Sequence, residues 1–309
     1  MPRFDVTIAG ELNLDLILYG LPDELPPERE LLADAMSLTL GGSSSIVAHN
    51  LAALGSKVGF ISRIGEDELG ELALARLAES GVNVEKVRRS KDGLSTGITI
   101  ILQRAKWRNM VTYSGTIAAL KFEDLDLGYL ADSRHFHLSS YYLQLGLLPN
   151  IAELFKYLKL AGLTVSLDTN DDPENQWGHG LWQALEYVDV FFPNESEAKR
   201  ITGATTMEEA LAKLSKIVPV VAIKLGAQGS IAQRGSERVA APGLKVDLVD
   251  AVGAGDSFDA GFLHQFVRGA DLGTCLKSAN AAGALSTTRT GGTEAFRDRA
   301  HRDKFLAGC

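Results

Sequence analysis

Apolar and polar residues alternate from Phe4 to Ala9, with Phe4, Val6 and Ile8 separated by Asp5 and Thr7, and the run stops at Gly10. A period of two predicts a first strand. The next thirty residues, 11–40, hold Pro22, Pro26 and Pro27 between two short alternating stretches, Asp15 to Tyr19 and Met36 to Leu40, which predicts strands joined by a loop. After Gly41-Gly42 the pattern turns helical, with a triple-serine start at Ser43 and Gly55 as its stop. Strands are predicted at Val58–Ile64, Val82–Val87, His135–Leu138, Leu163–Leu167, Val188–Phe192 and Val220–Ile223, with a helix over Asp67–Glu79. Gly97–Leu102 with Met110–Tyr113 reads as a hairpin around Ala105-Lys106-Trp107-Arg108, and Ser230–Gln233 with Arg238–Ala240 as another. Two long helices rich in small residues, Ala254–Arg268 and Leu272–Thr288, are expected to close the chain. Repeated strand-helix units imply an α/β fold around a mostly parallel sheet covered on both faces.

Composition narrows the partners. The chain has 309 residues, enough for a large α/β domain with an elaboration at roughly 150 residues per domain. Its 31 basic residues against 39 acidic ones leave a net charge of −8, with no basic run. Neither nucleic acid nor a membrane is an expected partner, and phosphates would have to be held locally by backbone amides and a metal ion. Two cysteines, Cys275 and Cys309, offer no disulfide framework, which fits a reducing cytoplasm. The N-terminus shows no signal-peptide pattern, and no apolar run reaches the ~18 residues of a membrane span.

The most informative stretch is Gly253-Ala254-Gly255-Asp256, where a loop becomes a helix. First-turn amides lack partners and carry partial positive charge, so an anion such as a triphosphate is well placed against them. The glycines let the backbone come close, and Asp256 adds a carboxylate able to accept the proton of an attacking hydroxyl. The plainer alternative is an acidic residue decorating a first turn. Neither a Gly-x-x-x-x-Gly-Lys loop nor a dinucleotide fingerprint is present. His135 and His137 share a strand face, which suits a core better than a metal.

Several motifs together resemble the ribokinase-like, or PfkB, carbohydrate kinases, and they span nearly the whole chain. These are Gly10-x-x-Asn13-x-Asp15, Gly41-Gly42 through Leu54-Gly55, Thr96-Gly97, Pro193-Asn194-x-x-Glu197, Lys224-Leu-Gly226-x-x-Gly229, Asp250-Ala-Val-Gly253-Ala254-Gly255-Asp256 and Ala279-Asn280-Ala-Ala-Gly283. The resemblance implies one ribokinase-like three-layer sandwich over residues 1–309, with a small β lid from about 11–40 and 96–115. It implies ATP-dependent phosphorylation of an unphosphorylated sugar or polyol, with Asp256 as base and the Gly253, Ala254 and Gly255 amides as anion hole. A nucleoside kinase, or a 2-keto-3-deoxygluconate or fructose kinase, shares the same nucleotide half, and a non-catalytic binding protein on this fold is a further alternative. Asn13, Asp15, Gly41, Gly42, Ser43 and Asn170 would hold the sugar. Asn194, Lys224, Gly226, Gly229, Asn280 and Gly283 would line the nucleotide. Glu197 and Asn194 would hold Mg²⁺ through water, and Asp250 would belong to a K⁺ site in which Ala251 replaces the usual Thr. A cytoplasmic homodimer formed through the lid is implied as well. Ile46 stands where ribokinases carry a sugar-contacting Asn, and Asp172 where many relatives carry Arg, so ribose itself is not the expected substrate.

Overall fold

The structure, a computed structural model, describes residues 2–104 and 107–309; Ala105 and Lys106 of the predicted hairpin tip lie outside the described residues. The strands are β1 (Phe4–Ala9), β2 (Asn13–Leu21), β3 (Ala35–Gly41), β4 (Val58–Ile64), β5 (Asn83–Arg89), β6 (Ile98–Arg104), β7 (Arg108–Tyr113), β8 (Ser133–Leu138), β9 (Thr164–Leu167), β10 (Val190–Phe191), β11 (Val220–Lys224), β12 (Gly229–Arg234) and β13 (Glu237–Pro242). The helices are α1 (Ser43–Ala53), α2 (Glu68–Glu79), α3 (Leu127–Ala131), α4 (Ile151–Leu160), α5 (Leu181–Leu185), α6 (Glu195–Thr202), α7 (Met207–Leu214), α8 (Ala254–Phe266), α9 (Leu272–Ser286), α10 (Glu294–Arg297) and α11 (Arg299–Ala307).

Among the described residues one sheet has the order β13-β12-β11-β10-β9-β8-β1-β4-β5, parallel except for the antiparallel β11-β12-β13 edge. Two apolar clusters cover its faces. One gathers Leu154, Phe155, Leu185, Ala198 and Leu211 of α4 to α7, the other Val47, Leu51, Phe262 and Leu276 of α1, α8 and α9. Burial on both faces explains why β11 opens with the continuous apolar run Val220-Val221-Ala222-Ile223. Helices α8 and α9 cross closely because Gly261 has no side chain: a Cβ there would lie 2.5 Å from the Ser278 carbonyl oxygen. A second, four-stranded sheet has the order β3-β2-β6-β7, in which β2 pairs parallel with β6 and antiparallel with β3.

Two expectations need correction. The strand predicted at Val188–Phe192 shrinks to Val190–Phe191. The chain does not close on α9: α10 and α11 follow it. Helix α11 is mostly polar and packs little of its surface, so apolar periodicity did not reveal it, although the Asp298 side chain accepts from the His301 amide as an N-cap. His135 and His137 are core residues, as the sequence suggested. Both rings are fully buried, and their four nitrogens bond Thr164, Ser166 and Ser139 hydroxyls at 2.7 Å.

Candidate active site

Parallel strands of an α/β sheet end at one common edge, and ligands bind beyond those carboxyl ends. Here that edge carries Glu11 after β1, Ser139 and Ser140 after β8, Asp168 after β9, Asn194 after β10 and Lys224 at the end of β11. The loop before α8 arrives at the same place. Gly253 takes a left-handed conformation (φ 71°) as the N-cap of α8, and a Cβ on it would lie 2.4 Å from the Gly292 Cα, so only glycine fits. Ala254, Gly255 and Asp256 form the first turn of α8, whose amides have no intrahelical partner. The side of Gly255 faces Lys224, whose Nζ would lie 3.5 Å from a Cβ added there.

Lys224 is the centre of a compensated cluster. Its ammonium contacts Asp168 at 2.5 Å and Asp259 at 3.4 Å, and both carboxyls are fully buried. Burial opposes the charge on Lys224, but Asp168, Asp259 and Glu197 together raise its pKa. Asp168 feels the same burial, yet the Lys224 charge holds it below the usual carboxylate range. Asp259, the more distant partner, is raised well above that range by burial, because two adjacent buried carboxyls cannot share one cation equally.

Asp256 is 7% exposed, and its pKa is pushed up to about 7 by burial and by the Asp168 charge, with Lys224 and the Ser43 hydroxyl pulling the other way. Asp15, on β2, is raised to about 7 by burial and by the negative fields of Asp256, Asp250 and Glu11. Asn13 lies on the same face of β2, and its buried Oδ1 has no donor. Gly41 and Gly42 leave room for these two: a Cβ at Gly41 would lie 2.1 Å from Asp15 Oδ1, and one at Gly42 2.4 Å from Asn13 Oδ1. Asn170 (φ 51°) donates to the Ser43 hydroxyl at 2.5 Å and the Ser140 hydroxyl at 3.1 Å. The tertiary structure thus gathers Asn13, Asp15, Gly41, Gly42, Ser43, Asn170 and Asp256 at one end of the sheet.

The remaining candidates divide. Asn194 and Glu197 form a reciprocal cap at the start of α6: Glu197 N donates to Asn194 Oδ1 at 2.9 Å, and Asn194 N donates to Glu197 Oε2 at 2.8 Å. Burial, then the Asp168 charge, raises Glu197 to about 7, a field that a cation nearby would relieve. Gly226 faces open space, whereas Gly229 (φ 101°) makes the turn into β12. Asn280 donates to the Ala241 and Pro242 carbonyls at 3.0 and 3.1 Å, tying α9 to β13. Gly283 lets α9 approach the Ala254 carbonyl, which lies 3.2 Å from where a Cβ would sit. Asp250 Oδ2 accepts from the Tyr19 hydroxyl (2.9 Å) and the Gly291 amide (3.0 Å), and Oδ1 from the Val252 amide (3.0 Å). Asp172 accepts from the amides of Glu174, Gln176 and Trp177, so its charge serves its own loop.

Residues outside the sequence motifs also belong to the cluster. Glu11, 3% exposed, accepts from Ser44 N (3.1 Å), Ser44 Oγ (2.7 Å), Ser140 Oγ (2.9 Å) and Gln144 Nε2. Asp259 was legible only as a second acid one turn after Asp256. No periodic signal marks Glu11, because its partners come from two distant segments, Ser44 and Ser140–Gln144.

Free amides at a helix start beside a buried carboxylate raised to about 7, at the carboxyl edge of an open α/β sheet, form an arrangement suited to phosphoryl transfer. The description "pfkB family carbohydrate kinase" matches residues 3–299, and the chain belongs to that family. It is an ATP-dependent sugar kinase of that type. It is 31% identical to the 2-dehydro-3-deoxygluconokinase of Bacillus subtilis (strain 168) over 87% of this chain and 86% of the relative. The ATP-dependent ribose-1-phosphate kinase of Halopiger xanaduensis is 30% identical, with 94% of each chain covered. The structure of Arabidopsis thaliana ribokinase complexed with ribose and ATP superposes with a TM-score of 0.81 at 25% identity, covering 98% of this chain and 99% of that one.

Proposed function

We infer that this kinase phosphorylates a terminal hydroxyl of an unphosphorylated, neutral or weakly acidic sugar, with Asp256 as general base and the Gly253-Ala254-Gly255 turn as anion hole. The observation that carries this reading is the chemistry gathered around Asp256. Asn13, Asp15, Glu11, Ser43, Ser140 and Asn170 offer acceptors and neutral donors, and Lys224 beside them is already held by Asp168 and Asp259. A phosphorylated sugar would call for a second anion clamp, preferably a guanidinium fork. Sugar hydroxyls need acceptors instead, and Asn13 Oδ1 is one without a donor.

Asp256, near pKa 7, takes the proton as the sugar oxygen attacks the γ-phosphorus and the bond from that phosphorus to the β,γ-bridging oxygen breaks, with ADP leaving. Amides at the start of α8 stabilise the charge on the phosphoryl oxygens in flight. Lys224, Gly226 and Gly229, with Asn280 and Gly283 behind them, border the nucleotide side. Mg²⁺ would come with the triphosphate; Glu197 and Asn194 would hold it through its waters and supply charge neutralisation there. Among the described residues no cage of three acids or histidines exists for a tightly held ion. In this reading a K⁺ ion would sit at Asp250, whose Oδ1 accepts, among the described residues, only the Val252 amide and keeps a lone pair, while Oδ2 holds Tyr19 and the Gly291 amide.

The β3-β2-β6-β7 sheet would act as a lid, because it carries Asn13 and Asp15 and could exclude water from the γ-phosphate. Strand β7 is exposed along its length, with Met110, Val111 and Tyr113 each more than half exposed beside Trp107. Such an edge suits pairing with a second copy. Light scattering should give a dimer mass for the wild type and a monomer for Val111→Lys. Both cysteines are free, in keeping with a cytoplasmic enzyme, and no helix among the described residues is long and apolar enough to cross a membrane.

ADP release measured over a panel of sugars, sugar acids, nucleosides and sugar phosphates tests the substrate class. An unphosphorylated sugar or sugar acid should give the highest kcat/KM. A sugar phosphate in that place overturns the reading. The 31% identity to a 2-dehydro-3-deoxygluconokinase places sugar acids first in the panel.

A further inference from the structure

Helix α1 meets the turn before α8 through two side chains one helical turn apart, Ile46 and Asn50. Ile46 packs on Gly292, where an added Cβ would lie 2.7 Å from its Cδ1. Asn50 is fully buried and makes polar contacts in the same place. Its Nδ2 donates to the Gly292 carbonyl at 3.0 Å and to the Ser257 hydroxyl at 2.9 Å. Ser257 in turn donates to the Gly253 carbonyl at 2.7 Å.

The polarity of this chain is fixed at its ends. Carbonyl oxygens only accept, so the single proton of Ser257 goes to Gly253 and its oxygen must accept from Asn50. Both Nδ2 protons of Asn50 are then committed, and its Oδ1 is left as acceptor. His49 Nδ1, 2.8 Å away, therefore carries the proton toward it. Burial keeps that imidazole neutral, with its pKa lowered to about 4.

We propose that Asn50 is a positioning residue for phosphoryl transfer, holding the anion hole from behind without touching sugar or nucleotide. This rests on the reading of Gly253–Asp256 as anion hole and base. Gly253 is the left-handed hinge from which the Gly255 and Asp256 amides take their direction, and Gly292 is the backbone packed against it. Fixing both carbonyls fixes the tilt of the first turn of α8. An apolar side chain at position 50 could fill the volume but would leave two glycine-bearing loops, each flexible on its own, joined by packing alone. Transfer is sensitive to displacements of about 1 Å, which cost up to roughly 10²-fold in rate.

The test compares the full-length wild type with Asn50→Ala, Asn50→Asp and Ser257→Ala. Asn50→Ala and Asn50→Asp should lower kcat by about 10- to 100-fold, with KM for sugar and for ATP within about twofold of wild type. Ser257→Ala should lower kcat less, and its effect should largely vanish in the Asn50→Ala background, because the two residues act in one chain. Amide hydrogen exchange should accelerate at residues 253–257 in Asn50→Ala and stay unchanged in β1 and β8. A kcat within twofold of wild type, additive effects of the two substitutions, or faster exchange throughout the core would each overturn the proposal. If Asn50→Ala does not fold, Ser257→Ala alone decides, since it removes only the link to Gly253. Should Asp256→Asn remain active, the reading of the site fails, while the exchange data still decide whether Asn50 holds the turn.

Discussion

Two groups of buried acids meet at the carboxyl ends of the parallel strands, and they carry charge in opposite ways. Asp168 and Asp259 flank the Lys224 ammonium, whose charge holds Asp168 below the usual carboxylate range. Asp15 and Asp256 pair with no cation; burial lifts both to about 7, helped by the Asp256 charge at Asp15 and by the Asp168 charge at Asp256. The first group behaves as structure, since its energy is spent on mutual attraction. The second is held in a state that folding alone does not favour, and a group kept near neutral pKa is one that can exchange a proton at physiological pH. The difference teaches where to look for chemistry on this sheet: at the acids that lack a partner.

The sharpest way to break this comparison is Asp256→Asn. It should lower kcat by about 10²–10⁴-fold with ATP binding near wild type. Its stability effect should have the opposite sign. A carboxyl whose folded pKa lies near 7 binds a proton that the unfolded chain has lost above about 4, so its contribution to stability falls as pH rises between those values. The variant should therefore melt above the wild type at pH 8, with the gap closing toward pH 4. For the wild type, kcat/KM should rise with pH up to about 7 as the base deprotonates. Retained turnover or a flat pH profile would remove Asp256 from the chemistry.

Lys224→Met should do the reverse to stability. It strands Asp168 and Asp259 without their cation, which costs about 3–5 kcal/mol. Asp168 is the group with a depressed pKa, so the loss should be full above pH 4 and shrink as the pH falls through its folded value. Thermal melts at pH 8, at pH 4 and well below pH 4 check both signs, and a melt equal to wild type would show that the two acid groups do not differ as argued.

Asp15→Ala should raise the sugar KM by about 10- to 100-fold, the worth of hydrogen bonds to a charged acceptor, and leave the affinity for ATP unchanged. Parallel loss of both would mean that Asp15 holds the sheet in place and does not clamp the sugar. The smallest effect is expected from Glu197→Gln, which should raise the Mg²⁺ concentration needed for half-maximal rate by a fewfold, with sugar KM unaltered. Superimposable Mg²⁺ titrations would leave Glu197 as the cap of α6 alone.

The strands and long helices were readable because burial on a sheet imposes a short local period: Val58–Ile64 is a strand from the first to the last residue expected, and the helix expected over Asp67–Glu79 runs Glu68–Glu79 with Asp67 as its N-cap. The Gly253–Asp256 turn was readable for a similar reason, since a left-handed residue followed by free amides is specified by consecutive residues. Glu11, Asp259, Asn50 and Tyr19 were not. Glu11 acquires its meaning from Ser44, Ser140 and Gln144, and Tyr19 from Asp250, which lies 231 positions away. The acids illustrate the limit most clearly: Asp168 and Asp256 are the same residue type, each beside glycine or polar neighbours. The sequence by itself determined where a left-handed glycine leads into the free amides of a helix start, with Asp256 in that first turn. The tertiary structure alone decided which of the two carboxylates lies 2.5 Å from a lysine and which is left to carry a proton, because charge burial and pairing depend on distances that no local pattern encodes.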